Sequence, residues 1–209
     1  MSETIGIIGA GKLGMTLAQL ARKANYKVKI AGSANPSKIA LSVEVLAPGA
    51  YAVSSEEAAD TDIVILALPL GRVHALPADI LADKLVIDAT NYWWEVDGQR
   101  SDIVPEEQSS SEAIQEFLPR SRVVKAFNHM GYHDLHDEAK PTDSVNRKAI
   151  AVAGDNREDV ALVSRLIDDF GFDSLPMKSL SVGRSLEPGH PAFGANLSGD
   201  ELAKVLKSA

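Results

Sequence analysis

The residues with the clearest chemistry in this chain lie near its start. Gly9-Ala10-Gly11-Lys12-Leu13-Gly14 has the spacing G-x-G-x-x-G, set between a short apolar run and a helical period. In a dinucleotide site Gly9 permits the tight turn, Gly11 lets the backbone approach a pyrophosphate, and Gly14 lets the next helix pack close to the strand. The helix amino terminus then faces the anion with free N–H groups and the positive end of its dipole. The pattern alone is weak, but between a strand and a helix in a βαβ unit it predicts a nucleotide-binding turn, with Gly9, Ala10, Gly11, Lys12, Leu13 and Gly14 as its residues.

The choice of dinucleotide rests about 20 residues further on, where an NAD site places an Asp or Glu against the ribose 2′-hydroxyl. Here Gly32 and Ser33 stand at that place, within AGSANPSK (31–38), and no Asp or Glu occurs from Thr4 to Val43. The same span carries Lys12, Arg22, Lys23, Lys27, Lys29 and Lys38. A 2′-phosphate needs donors and positive charge, so the ligand expected is NADP(H), with Ser33, Asn35 and Lys38 as its contacts.

These residues need elements to hold them. Thr4 to Ile8 reads as a first strand, and Leu13, Leu17, Leu20, Ala21 and Ala24 make one stripe of the helix after it. Strands follow at 26–31 and 50–53, with a helix over 37–46 between them. Buried, non-alternating strands are expected at 62–69, 85–88 and 122–127. A last strand at 148–153 leads to a helix with a capping box of Asp155 and Glu158, stopped by Gly171. The fold expected is a Rossmann-type, doubly wound α/β sheet, mainly parallel, with helices on both faces. Residues 1–177 form the NADP-binding domain in this reading. Residues 178–209 are a short C-terminal extension packing on that domain or on a second subunit. Residues 91–111 and the tail after Pro176 escape the rhythm, and long irregular loops are often functional.

Composition sets the outer bounds. The 209 residues are 45% hydrophobic and 24% charged, with a net charge of −8. That balance argues against nucleic acid or an anionic membrane surface as partner and for a small molecule. The chain has no cysteine, which excludes disulfides, thiolate metal sites and Cys nucleophiles and fits a reducing compartment. No apolar run approaches a membrane span, and no basic leader precedes the first strand, so a cytoplasmic location is expected.

The motifs together resemble the NADP oxidoreductase family that uses the deazaflavin coenzyme F-420, and the related cytosolic reductase domain of the STEAP metalloreductases. The likeness runs through GIIGAGKLG, AGSANPSK, LALPL ending at Leu70, DATN (88–91), SSSEAIQEFLP (109–119) and VVKAFN (123–128). It implies that Leu68 and Pro69 pass beside the adenosine and pyrophosphate, while Asn91, Ala126 and Asn128 approach the nicotinamide. It also implies a hydride exchange between NADP(H) and coenzyme F-420 or a similar flavin as second substrate, in a homodimer. The chain departs from both relatives at Ala34, where they place the Arg that grips the 2′-phosphate. Lys38 lacks the planar fork of Arg and replaces it only in part.

Hydride transfer needs two stacked rings and no nucleophilic side chain. The aromatic run Tyr92-Trp93-Trp94 suits such stacking, or anchors the long loop. His129, His133 and His136 invite a metal, but zinc chemistry needs three ligands and an open position, and no metal site is assigned. His129, after a strand end near the nicotinamide position, is the candidate catalytic residue, as a hydrogen-bonding or protonating group or as pocket lining. His190 closes the site from the tail or sits in a packed turn. Three readings stay open: a reductase of a flavin-like acceptor, a reductase of a ferric chelate or small carbonyl, and a non-enzymatic NADP(H) sensor.

Overall fold

The structure, a computed structural model, describes residues 3–208. Its elements run β1 (Thr4–Ile8), α1 (Lys12–Lys23), β2 (Lys27–Ala31), α2 (Ser37–Leu46), β3 (Tyr51–Ala52), α3 (Ser55–Ala59), β4 (Ile63–Leu66) and α4 (Leu70–Val73). There follow β5 (Leu85–Asp88), α5 (Trp94–Asp97), α6 (Ser110–Phe117), β6 (Arg122–Lys125), α7 (Tyr132–Asp137), β7 (Ala149–Gly154), α8 (Arg157–Asp169), β8 (Asp173–Pro176) and α9 (Gly199–Lys207).

The strands form one sheet in the order β3-β2-β1-β4-β5-β6-β7-β8. Pairing is parallel from β3 across to β6, antiparallel between β6 and β7, and parallel again between β7 and β8. The mainly parallel Rossmann-type sheet read from the sequence is therefore present. The chain order reverses at β1, which lies between β2 and β4, and the crevice beyond their carboxyl ends is where open α/β sheets bind ligands.

Successive strand residues point to opposite faces, and both faces are covered. Ile5, Ile7, Ile30, Ile65 and Ile87 pack with Leu17 and Ala21 of α1 and with Val163 and Ile167 of α8. On the other face Ile8, Val64, Leu66 and Val86 pack with Ala58 of α3 and Ile114 of α6. Burial on both sides is why β4 and β5 carry unbroken apolar runs.

Two sequence expectations need correction. The capping box of Asp155 and Glu158 is absent: Asn156 caps α8, its Oδ1 accepting from the Glu158 and Asp159 N–H groups at 2.8 and 3.2 Å. Asp155 is drawn off to the tail, where its carboxylate accepts from the Leu180 N–H at 2.9 Å. Irregular structure was expected after Pro176, yet α9 forms there. Leu202 of α9 is fully buried in a cluster with Ala149, Ala151, Leu186 and Ala192, so the tail lies against β7. The sequence did signal this helix, because Ser198 and Glu201 make the S-x-x-E capping box that the structure shows. Ser54 with Glu57 and Ser109 with Glu112 start α3 and α6 in the same way. The strand β8 was not foreseen; its sequence DSLP is short, polar and half-exposed.

Candidate functional site

The glycine turn is set by three separate steric demands. Gly9 has φ +121°, and a Cβ there would stand 2.2 Å from the Ala67 carbonyl oxygen of the neighbouring strand end. A Cβ on Gly14 would lie 1.8 Å from the Gly9 carbonyl oxygen, so α1 approaches the turn closely only with glycine at that position. At Gly11 a Cβ would meet nothing within 4 Å. Gly11 is the amino cap of α1, no side chain caps that end, and its first turn holds no acid. An open cradle over an uncapped 12-residue helix suits the pyrophosphate of a dinucleotide. Leu13 packs into the core beside Ala10, while Lys12 is exposed with its ammonium over the Tyr132 ring.

The end of β2 lies beside this turn. The Gly9 N–H donates to the Ala31 carbonyl at 2.8 Å, and Gly32 packs between Ile39 and Ala10. Ser33 and Asn35 are exposed on the following loop and Lys38 in the first turn of α2. The Asn35 carboxamide oxygen accepts from the Ser37 N–H at 3.0 Å, which turns the chain into α2 and leaves its NH2 group available.

Across the crevice Leu68 is half-buried and Pro69 is exposed, the latter capping α4. Here the structure adds a residue that the sequence reading missed. Asp97 accepts from the Gly71 N–H through one oxygen and from the Trp93 N–H through the other, both at 2.9 Å. It ties the loop after β4 to the aromatic loop after β5. No periodicity marks it, because the tie joins two irregular segments.

Beyond β5 and β6, Asn91 and Asn128 face each other. The Asn91 Nδ2 donates to the Asn128 carbonyl at 2.8 Å, and the Asn128 Nδ2 donates to Asn91 Oδ1 at 3.1 Å and to the Leu186 carbonyl at 2.8 Å. Ala126 is fully buried, and Phe127 between them has φ +65°, an outlier for a bulky residue that turns the chain there. The Asn128 Oδ1 and Thr90 Oγ1 are buried without a hydrogen-bond partner.

His129 sits below this pair rather than in the open crevice. It is 1% exposed, and its Nε2 accepts from the Ala151 N–H of β7 at 3.0 Å, which places the ring proton on Nδ1. Burial pushes its pKa down to about 4, against a small upward pull from the Ala192 carbonyl. His129 precedes α7 and so does not share a helical face with His133 and His136.

Under the strand ends lies a charged network also missed from the sequence. Lys125 and Asp88 are paired in the β5–β6 register, fully buried, with Nζ 3.0 Å from Asp88 Oδ2 and 3.1 Å from Ser110 Oγ. Asp88 also accepts from Ser111 Oγ at 2.5 Å and from the Thr90 N–H at 2.8 Å. The tail joins in through Glu187, which accepts from the Ser110 N–H at 2.6 Å and pairs with Arg100 at 3.4 Å. The signal was an acid and a base each ending an apolar strand. Trp93 and Trp94, which follow Asn91 by two and three residues, are 46% and 61% exposed, with the Phe193 ring edge-on to Trp93 at 5.7 Å. His190 lies in a packed turn, its N–H donating to the Glu187 carbonyl at 3.2 Å.

Residues 4–92, which hold the glycine turn and both flanking strand ends, match the family model described as NADP oxidoreductase, coenzyme F-420-dependent. Over this segment the chain is similar to NADP-dependent oxidoreductases. The resemblance read from the sequence includes this segment and runs on to Asn128. Among solved structures, a hypothetical protein from Sinorhizobium meliloti is 26% identical to this chain, with a TM-score of 0.77 over 95% of this chain and 96% of that one. A protein provisionally described as an F-420-dependent NADP reductase, from an Arthrobacter species, is 20% identical with a TM-score of 0.71, over 88% of each chain. The 3-hydroxyisobutyrate dehydrogenase of Mycobacterium tuberculosis shares the fold at 15% identity and a TM-score of 0.63, over 88% of this chain and 57% of its own. No curated protein matches the chain.

Proposed function

We propose that the protein exchanges hydride between NADP(H) and a planar deazaflavin or flavin acceptor of the coenzyme F-420 type. The observation that carries this reading is the pair of exposed tryptophans, Trp93 and Trp94, in the loop that begins at Asn91, whose side chain is paired with Asn128. A dinucleotide with its pyrophosphate over Gly11 would direct its nicotinamide end there, and two exposed indoles offer a flat apolar platform for a second ring. Bound NADP(H) supplies or accepts the hydride. The chain's own contribution is orientation: the mutually hydrogen-bonded Asn91 and Asn128 shape the nicotinamide side, and the aromatic loop excludes water. His129, neutral and engaged with β7, serves in this reading to position the Asn128 segment and moves no proton.

Oxidation of NADPH, followed at micromolar protein with deazaflavin, flavin, ferric-chelate and small-carbonyl acceptors, tests the assignment. Turnover confined to the flavin-like acceptors is expected. Turnover confined to ferric or carbonyl acceptors reassigns the enzyme, and tight NADPH binding with no turnover makes it a sensor. The 2′-phosphate reading, with Ser33, Asn35 and Lys38 as contacts, has its own test in Ala34→Arg. A new bidentate guanidinium there raises the preference for NADPH over NADH by about tenfold or more in a fluorescence titration; an unchanged ratio removes this loop from the phosphate site. We further propose a cytoplasmic homodimer. Leu41 and Val45 of α2 and Tyr51 of the edge strand β3 are exposed together, and a monomer in gel filtration at micromolar concentration overturns it. No helix among the described residues is long and apolar enough to cross a membrane.

A further inference from the structure

We infer that Tyr132 is a positioning residue for the dinucleotide, its ring holding the Lys12 ammonium over the mouth of the glycine turn before the ligand arrives. The inference rests on the glycine turn being an NADP(H) site. Lys12 is the first residue of α1 and follows Gly11, the position where added bulk would meet only open space. Its Nζ lies 5.2 Å from the centroid of the Tyr132 ring. Tyr132 is the first residue of α7, which packs along α1, and the His133 ring lies against it at 4.2 Å. The aromatic platform is therefore held by its own helix and a neighbouring ring.

What holds a lysine decides what it can do next. A carboxylate partner would compete with phosphate for the ammonium, but no ion pair among the described residues includes Lys12. A ring face attracts the cation while leaving its charge and the N–H groups directed away from the ring intact. An exposed lysine otherwise spreads over many rotamers, and a phosphate that orders it loses affinity for that reason. Tyr132 reduces that loss by confining Lys12, the first residue of the helix whose free N–H groups would meet the same anion.

NADPH titrations of the full chain, read by nicotinamide fluorescence, test this with Tyr132→Leu, Tyr132→Phe, Lys12→Met and the Tyr132→Leu/Lys12→Met pair. Tyr132→Leu weakens NADPH about three- to tenfold, a cation–π contribution at a partly exposed site. Tyr132→Phe keeps the ring face and stays within about twofold of the unaltered protein. In the Lys12→Met background the Leu substitution adds nothing, and Lys12→Met also lowers the dependence of log Kd on log salt. Thermal melts verify folding; if the Leu variant is unfolded, Tyr132→Met, which removes the π face while keeping an apolar side chain, must weaken NADPH by the same about three- to tenfold. Unchanged affinity in Tyr132→Leu, equal losses in Phe and Leu, or additive losses in the pair overturn the role of Tyr132. Absence of NADPH binding by the unaltered chain overturns the site itself.

Discussion

Gly11 and Gly14 lie three positions apart in one motif, yet a methyl group has opposite consequences at the two. At Gly14 it collides with the Gly9 carbonyl at 1.8 Å, so backbone must move; at Gly11, in extended conformation with φ −77°, it meets nothing. Gly11→Ala therefore keeps the melting temperature, with a stability change within about 0.5 kcal/mol, while weakening NADPH by about tenfold or more because the methyl occupies the pyrophosphate cradle. Gly14→Ala loses about 1–3 kcal/mol of stability in urea unfolding whether or not ligand is present. If Gly11→Ala bound NADPH normally, the cradle would hold no phosphate. The motif was legible because its spacing is fixed by these contacts within one βαβ unit. Asp97 was not, since its two acceptor bonds join loops whose path no local pattern records. The Asn91–Asn128 pairing was half legible: resemblance brought both residues to one end of the site, but their mutual hydrogen bonds depend on the turn at Phe127.

At the scale of elements, the junction between the end of β6 and β7 depends on one imidazole. The unfolded His129 titrates near 6.5 and the folded one near 4, so the unfolded chain binds the additional proton as pH falls. The contribution is thus fully present above about pH 6.5 and is lost as pH falls from there through 4, amounting to about 3 kcal/mol by linkage. His129→Asn should show a shallower fall in urea-unfolding free energy between pH 7 and 4 than the unaltered protein; parallel curves would mean that the ring is not held neutral. This junction also marks where sequence reading weakened. The central strands β1, β4, β5 and β6 are parallel and largely buried, and their apolar runs predict them directly. After β6 the pairing turns antiparallel, and β8 is added at the edge with a polar sequence, so local pattern no longer reports tertiary position. The misplaced cap of α8 has the same origin: Asp155 would suit the helix, but a tail backbone amide 25 residues away claims it.

For the molecule as a whole, the question is whether residues 178–209 are an appendage or part of the folding unit. Four contacts tie the tail to the site: Leu186 accepts from Asn128, Glu187 from the Ser110 N–H, the Gly194 N–H donates to the His129 carbonyl at 2.7 Å, and Phe193 meets Trp93. Leu202 anchors them from α9, fully buried over β7. Releasing the tail would leave Asn128 Nδ2 without one acceptor and would open the β7 face carrying Ala149 and Ala151 to water. The extension at 178–209 was expected to pack on the domain or on a second subunit; with these contacts made within one chain, the sheet and tail should unfold together. Leu202→Ala tests this far from the crevice, since it removes a buried anchor at a cost of about 2–5 kcal/mol. The urea midpoint should fall for the entire transition, with tryptophan fluorescence at Trp93 and Trp94 and far-ultraviolet dichroism still coincident. NADPH should raise the midpoint of both signals together, because ligand binding stabilises whatever unit contains the site. A first transition seen by tryptophan alone, leaving a dichroic core that still binds NADPH, would make the tail a separable extension after all.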